Sequence, residues 1–232
     1  MPVQRLVLFD IDGTLLRAGP VGGAVFDRAL EAVLGSVPKQ RVRMSGKTDP
    51  QIVREYLALL EEEDPGHLPA VLEHLERHLA AAADQLARDG HPCPGVQELL
   101  AALAADERFH ASLLTGNIAP NAVVKVSAFG LQAWVDFETG AYGSDSEDRR
   151  DLVPIALGRL ASVRGARLSP EQAWVIGDTP RDFECAAAAG AHCLLVATGT
   201  YSEEELQALG ADAVMADLAD TAAVLELLCL GL

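Results

Sequence analysis

At 232 residues the chain has room for one large domain, or for a core domain with a modest insertion, and half of its residues are hydrophobic. Its formal net charge is −16, which leaves no basic field to attract a nucleic-acid backbone or an anionic membrane. A small anionic substrate remains admissible, because it needs only local positive charge, which a bound divalent cation can supply.

The four cysteines, Cys93, Cys185, Cys193 and Cys229, are scattered and show no CxxC spacing. They read as core or surface thiols in a reducing compartment. No apolar run is long enough to span a bilayer, and the first strand comes too early for a signal peptide, so a cytoplasmic location is expected.

In chain order, residues 5–9 (RLVLF) are short, apolar and branched, and predict a buried strand. Gly19, Gly22 and Gly23 punctuate the next stretch as a flexible lead-in rather than a phosphate loop. Helical apolar spacing follows at 25–34. The turn at 44–50 ends in a helix start, with Thr48 or Asp49 as N-cap and Pro50 in the first turn. Ile52, Val53, Tyr56, Leu57 and Leu60 share the apolar face of that helix, and the acidic run 61–64 closes it. A further helix is predicted over 69–88. On it His74 and His78 stand four apart, but no third ligand is evident nearby, so they read as a packed or solvated face. From residue 92 the character changes. Helices at 96–105, 120–129, 152–163, 181–189 and 220–228 alternate with strands at 111–115, 134–138, 173–177 and 193–197. Glu203–Glu205 reads as a solvated face. The alternation implies a parallel sheet with helices on both faces. The fold class is α/β, with a core formed by residues 1–17 and 92–232 and a helical block at 18–91 inserted after the first strand.

Three of these strands end in polar groups: Asp10-Ile11-Asp12, Thr115-Gly116-Asn117 and Asp178-Thr179-Pro180-Arg181-Asp182. Ligands of open parallel sheets bind at such carboxyl ends. If the strands are neighbours, Asp10, Asp12, Asp178 and Asp182 crowd together with Thr115. Packed carboxylates repel, and a cation removes the conflict; an all-oxygen set with waters suits Mg²⁺, which also binds phosphate oxygens. That combination points to phosphoryl transfer. Two carboxylates two residues apart at a strand end can flank one phosphorus, one attacking and the other moving protons. Gly13 permits a tight turn there, and Thr14 offers a hydroxyl.

DIDGT at 10–14, LLTGN at 113–117 and IGDTPRD at 176–182 resemble the first, second and fourth motifs of the haloacid dehalogenase superfamily of phosphohydrolases. Pro94-Gly95-Val96 with Glu98-Leu99-Leu100 is similar to the segment that leads out of the helical cap in its phosphoglycolate-phosphatase-like branch. The resemblance implies a Rossmann-like core and an α-helical cap inserted after the first motif. It makes Asp10 the nucleophile of an aspartyl-phosphate mechanism and Asp12 the general acid/base. Thr115 would bond the transferring phosphoryl group, with Thr14, Gly116 and Asn117 on the substrate side. Asp178 would ligate Mg²⁺ together with the Asp10 carboxylate and the Asp12 backbone carbonyl, and Asp182 would help hold the metal site.

The family usually places a lysine between its second and fourth motifs. The only lysines here are Lys39, Lys47 and Lys125, none of them between 126 and 178. Arg149 is the candidate replacement, since arginine holds phosphate or carboxylate in bidentate fashion, with Arg150 in reserve and Lys47 as a substitute from the cap. Lys47 is also the cap residue placed to meet an anionic substrate. The expected activity is hydrolysis of a small phosphorylated metabolite by a monomer or weak homodimer. A phosphosugar mutase would use the same core. A 2-haloacid dehalogenase would need neither Mg²⁺ nor an acid at position 12. A non-catalytic binding or regulatory protein would be expected to lack Asp10 or Asp12.

Overall fold

The computed structural model describes residues 3–230. Strand β1 (Arg5–Phe9) is buried at every position and ends directly at Asp10. A two-residue strand, β2 (Leu16–Arg17), follows the turn after it. Four helices come next: α1 (Val21–Leu34), α2 (Asp49–Leu59), α3 (His67–Ala81) and α4 (Ala83–Asp89). The chain returns through β3 (His91–Pro92), which pairs antiparallel with β2. The way into the helical block and the way out of it therefore run side by side.

The remainder alternates. It comprises α5 (Val96–Ala104), β4 (Phe109–Thr115), α6 (Ala119–Ala128), β5 (Asp136–Tyr142), α7 (Leu152–Arg164), β6 (Ala173–Gly177), α8 (Pro180–Ala189), β7 (His192–Val196), α9 (Glu203–Gln207), β8 (Ala213–Met215) and α10 (Thr221–Leu228). The six main strands form one parallel sheet in the order β5-β4-β1-β6-β7-β8. The chain runs outward from β1 to β4 and β5, then crosses to the other side for β6, β7 and β8. This reversal puts a topological switch point at the carboxyl end of β1, where sheets of this class hold ligands.

The side-chain period of two divides the strands between two cores. Val7 and Phe9 join Leu113, Trp174, Ile176, Leu194 and Val196 on one face. Leu6 and Leu8 join Leu114, Val175, Cys193 and Leu195 on the other. The inserted helices add to the first core: α3 packs on α1, and both α3 and α4 reach α6. Among the described residues, no helix is long and apolar enough to cross a membrane.

Several expectations are corrected in detail. The helix predicted over 69–88 is two helices that meet at Ala82, whose φ of −98° and ψ of 8° leave the helical region. The break lets Leu75 and Leu79 continue along α1 while α4 turns towards α6. The strand predicted at 134–138 lies at Asp136–Tyr142, because residues 131–133 form a 3-10 turn that takes up the apolar residues before it. The edge strand β8 and the ribbon β2–β3 are too short to leave a period in the sequence. Glu203–Glu205 is exposed but helical, started by a capping box between Ser202 and Glu205.

Candidate active site

The carboxyl ends of β1, β4 and β6 deliver Asp10, Thr115 and Asp178 to one place, as their hydrogen-bonded register requires. The Asp10 backbone N–H still donates to Ile176 O at 2.9 Å, so the nucleophile candidate sits on the last rung of the sheet. Gly13 turns the chain immediately afterwards with φ +96°, in the region that favours glycine. A Cβ there would lie 2.4 Å from Asp178 Oδ2, so glycine also makes room for that carboxylate.

Asp10, Asp178 and Asp182 are all buried and offer oxygens within 4.8 Å of one another. Burial pushes the Asp10 carboxyl up to about 7, with Arg149 opposing and Asp182 and Asp12 adding to the rise. Burial, then the charges of Asp182 and Asp10, push Asp178 up to about 9. Such a group is unstable as three free carboxylates and suits a hard, oxygen-seeking cation. Within it Asp182 is the most engaged. Its Oδ1 pairs with Arg149, and its Oδ2 accepts from Thr179 N (3.0 Å) and Thr179 Oγ1 (2.7 Å) at the start of α8. Asp10 and Asp178 therefore hold the better-placed oxygens.

Arg149 is 5% exposed and reaches three partners. Its guanidinium bonds Asp182, stands 3.4 Å from Asp10 Oδ1, and donates to Gly46 O at 3.3 Å. Burial works against its charge, but Asp182 and Asp10 outweigh that and hold its pKa above the usual arginine value. The other two candidates for the lysine position do not reach Asp10. The Arg150 side chain is 65% exposed and bonded to Asp148, and Lys47 pairs with Glu55 on α2.

Asp12 lies on the open side. Its side chain is 42% exposed, and its Oδ2 accepts from Lys125 Nζ at 2.6 Å and Asn117 Nδ2 at 2.8 Å. Asn117 also donates to Thr115 Oγ1, through Nδ2 at 2.9 Å and through its backbone N–H at 3.3 Å. Thr115 itself is fully buried. A cavity of about 610 Å³ opens in front of these groups, and its lining includes Phe26, Met44, Lys47, Ile52 and Lys125.

The model of the haloacid dehalogenase-like hydrolases matches residues 7–196. The chain belongs to that family. Among curated proteins, the phosphoglycolate phosphatase of Rhodospirillum rubrum is 30% identical over 221 residues, covering 94% of this chain and 89% of that protein. The crystal structure of CbbY from Rhodobacter sphaeroides in complex with phosphate superposes with a TM-score of 0.72 at 20% identity, covering 94% of this chain and 96% of that one. A predicted phosphoglycolate phosphatase from Haemophilus somnus 129pt gives a TM-score of 0.68 at 19% identity, covering 96% and 98%. At these identities the two structures bear on the fold alone. They share the α/β, Rossmann-like architecture of this haloacid dehalogenase-like chain.

Of the expected substrate-side residues, Gly116, Asn117 and Lys47 line the cavity, while Thr14 does not. Thr14 is fully buried, and its hydroxyl donates to Asp178 Oδ1 at 3.3 Å, so it steadies a carboxylate of the site instead of facing the cavity. Gly116 meets the inserted block: a Cβ there would lie 2.1 Å from Lys47 O, and its own carbonyl accepts from Asp49 N at 2.7 Å. Glycine is what allows the loop at 45–48 to lie on the strand end. The rings of His74 and His78 stand 5.8 Å apart on α3, and neither belongs to the one candidate metal group among the described residues.

The sequence reading gave Lys125 no role and took Asp49 only as a candidate N-cap. Both are buried, and both come into the site from outside the three motifs. Asp49 accepts from Ile118 N at 2.9 Å, and burial raises its pKa to about 6 against the charge of Lys125. A signal for Lys125 did exist. It shares the buried face of α6 with Asn121, Ala122 and Val126, and a lysine on such a face needs a partner.

Proposed function

We propose that this chain is a Mg²⁺-dependent phosphatase that hydrolyses a small phosphomonoester through an aspartyl-phosphate. The observation that carries the reading is the division between Asp10 and Asp12: the first is buried between Arg149 and Asp178, and the second faces the cavity with one oxygen held by Lys125 and Asn117. The 30% identical relative is a phosphoglycolate phosphatase, and the CbbY structure holds phosphate, which agrees with a phosphorylated substrate.

In this reading the Asp10 carboxylate attacks the phosphorus, and the bond from phosphorus to the leaving oxygen breaks. Asp12 gives that oxygen its proton. Asp12 then takes a proton from water as the water attacks the aspartyl-phosphate, and Asp10 is released as a carboxylate. Arg149 and the Thr115 hydroxyl bind the phosphoryl oxygens in place of the family's lysine and of solvent. Asp10 and Asp178, with the Asp12 carbonyl, would hold Mg²⁺, and Asp182 would keep Arg149 and the start of α8 in register. The ion would supply positive charge to a phosphoryl group among buried carboxylates. Residues 18–91 act as a cap. Its loop at 45–48 lies over the site through the Asp49–Gly116 and Arg149–Gly46 hydrogen bonds and excludes water from the attacking group.

The test is release of inorganic phosphate from a panel of phosphomonoesters, with Mg²⁺ and with EDTA, for the wild type and Asp10→Asn. The expected result is Mg²⁺-dependent release that falls by a factor on the order of 10⁴ or more in the variant. Release that survives Asp10→Asn would overturn the mechanism.

A further inference from the structure

We infer that Lys125 is a positioning residue for the Asp12 proton, fixing Oδ1 as the oxygen that gives and takes it. This rests on the reading of Asp12 as the general acid/base. Oδ2 of Asp12 accepts two hydrogen bonds, from Lys125 Nζ at 2.6 Å and from Asn117 Nδ2 at 2.8 Å. Both donors come from elements other than the one bearing Asp12: Asn117 follows β4, and Lys125 lies two turns into α6. An oxygen that already accepts two such bonds would have to give one up to carry a proton. Oδ1 has no hydrogen bond among the described residues, and Asp12 lines the cavity, so a substrate oxygen would meet Oδ1.

The position of Lys125 is itself built. The residue is 8% exposed on a face of α6 otherwise made of Asn121, Ala122 and Val126. A lysine is placed there only if its ammonium has partners. Asp12 is one, on the core side. Asp49 is the second charge it acts on, from the first turn of α2 in the inserted block, and Asp49 is fixed to the core through Ile118 N and Gly116 O. Lys125 thus bonds the proton-carrying aspartate, while its charge also acts on Asp49 of the inserted block. A merely structural lysine would stabilise the fold without favouring any particular substrate.

That difference is measurable through the leaving group. An alkyl phosphate must receive a proton as its bond to phosphorus breaks, whereas p-nitrophenyl phosphate releases a phenolate that needs none. The ratio of kcat/KM for the two esters therefore reads proton delivery in the first chemical step, whichever step limits kcat. Lys125→Met is expected to lower kcat/KM for an alkyl ester such as glycerol phosphate by about 10- to 100-fold more than for p-nitrophenyl phosphate. Should the methionine variant fail to fold, Lys125→Gln carries the same comparison with a neutral polar side chain. Equal losses on the two esters, or no loss on either, would overturn the role of Lys125 while leaving the phosphatase reading intact. A wild-type protein inactive on both esters, with Asp10→Asn no different, would remove the phosphatase reading and this inference together.

Discussion

The two aspartates that begin the site stand two residues apart and live in different media. On one side Asp10, Asp178, Asp182 and Arg149 are each at most 5% exposed, with the three carboxylates grouped within 4.8 Å and Arg149 paired to two of them. On the other, the Asp12 side chain is 42% exposed and leans on Lys125 and Asn117 at the mouth of the cavity. On the buried side, desolvation and mutual charge set whether each group is ionised. On the open side, hydrogen-bond partners set which oxygen is available. In the proposed mechanism one strand end would thus supply an attacking group and a proton carrier from the same residue type.

Stability measurements should break this comparison if it is wrong. Arg149→Met removes the cation from a buried group and leaves Asp182 and Asp10 uncompensated, which should cost about 3–5 kcal/mol of unfolding free energy. Lys125→Met removes a cation from an aspartate that water can reach, with buried Asp49 also losing the pull of that charge, and should cost less, about 2 kcal/mol. Urea unfolding of both variants gives the two numbers, and similar losses would mean that the open side is as dry as the other.

A second contrast should appear with pH. Asp10 at about 7 and Asp178 at about 9 both lie above their ordinary value of 3.8. The folded, metal-free chain therefore binds more protons than the unfolded chain. Its stability from these groups is full below about pH 4 and is lost as pH rises through both values. The Tm without metal should fall between about pH 5 and about pH 9, and Mg²⁺ should raise it more at the upper end, where it replaces protons. A Tm that climbs over this range in EDTA would contradict the proton count. The smallest effect belongs to the loop that covers the open side. Thr48 is fully buried, accepts from Gln51 N as the N-cap of α2, and donates to Glu147 O. Thr48→Ala should cost about 1 kcal/mol by the same unfolding assay.

The strands that carry the chemistry were legible because they are central. β1 and β6 fall on the residues read from composition alone, since both are short apolar runs buried on two faces and cut off by an aspartate or a glycine. Asp10, Asp12 and Asp178 were legible because three such strand ends carry polar groups together: each alone could be a turn or a helix cap, but the set points to one site. Lys125 was not, because a lysine in the last turn of a helix has an ordinary explanation in the helix dipole, and only the burial of that face argues otherwise. Arg149 stood ahead of Arg150 in the sequence reading, but the direction of each side chain was not legible there. The two are adjacent, and a 3-10 turn decides which one faces Asp182. Thr14 shows the converse limit: a hydroxyl in a motif has a direction only after the fold gives it one.

The ribbon of Leu16–Arg17 against His91–Pro92 has an architectural consequence. Paired strands lie only about 5 Å apart, so the long excursion between them begins and ends at nearly one point. The sheet would keep its strand order and its crossover handedness whether that excursion held four helices or a short hairpin. A lineage could therefore exchange the helical block wholesale without redrawing the sheet that carries Asp10, Thr115 and Asp178. Such a transplant would have to match the face of α6 that receives α3 and α4, and the hydrogen bonds that residues 46–49 make to the core.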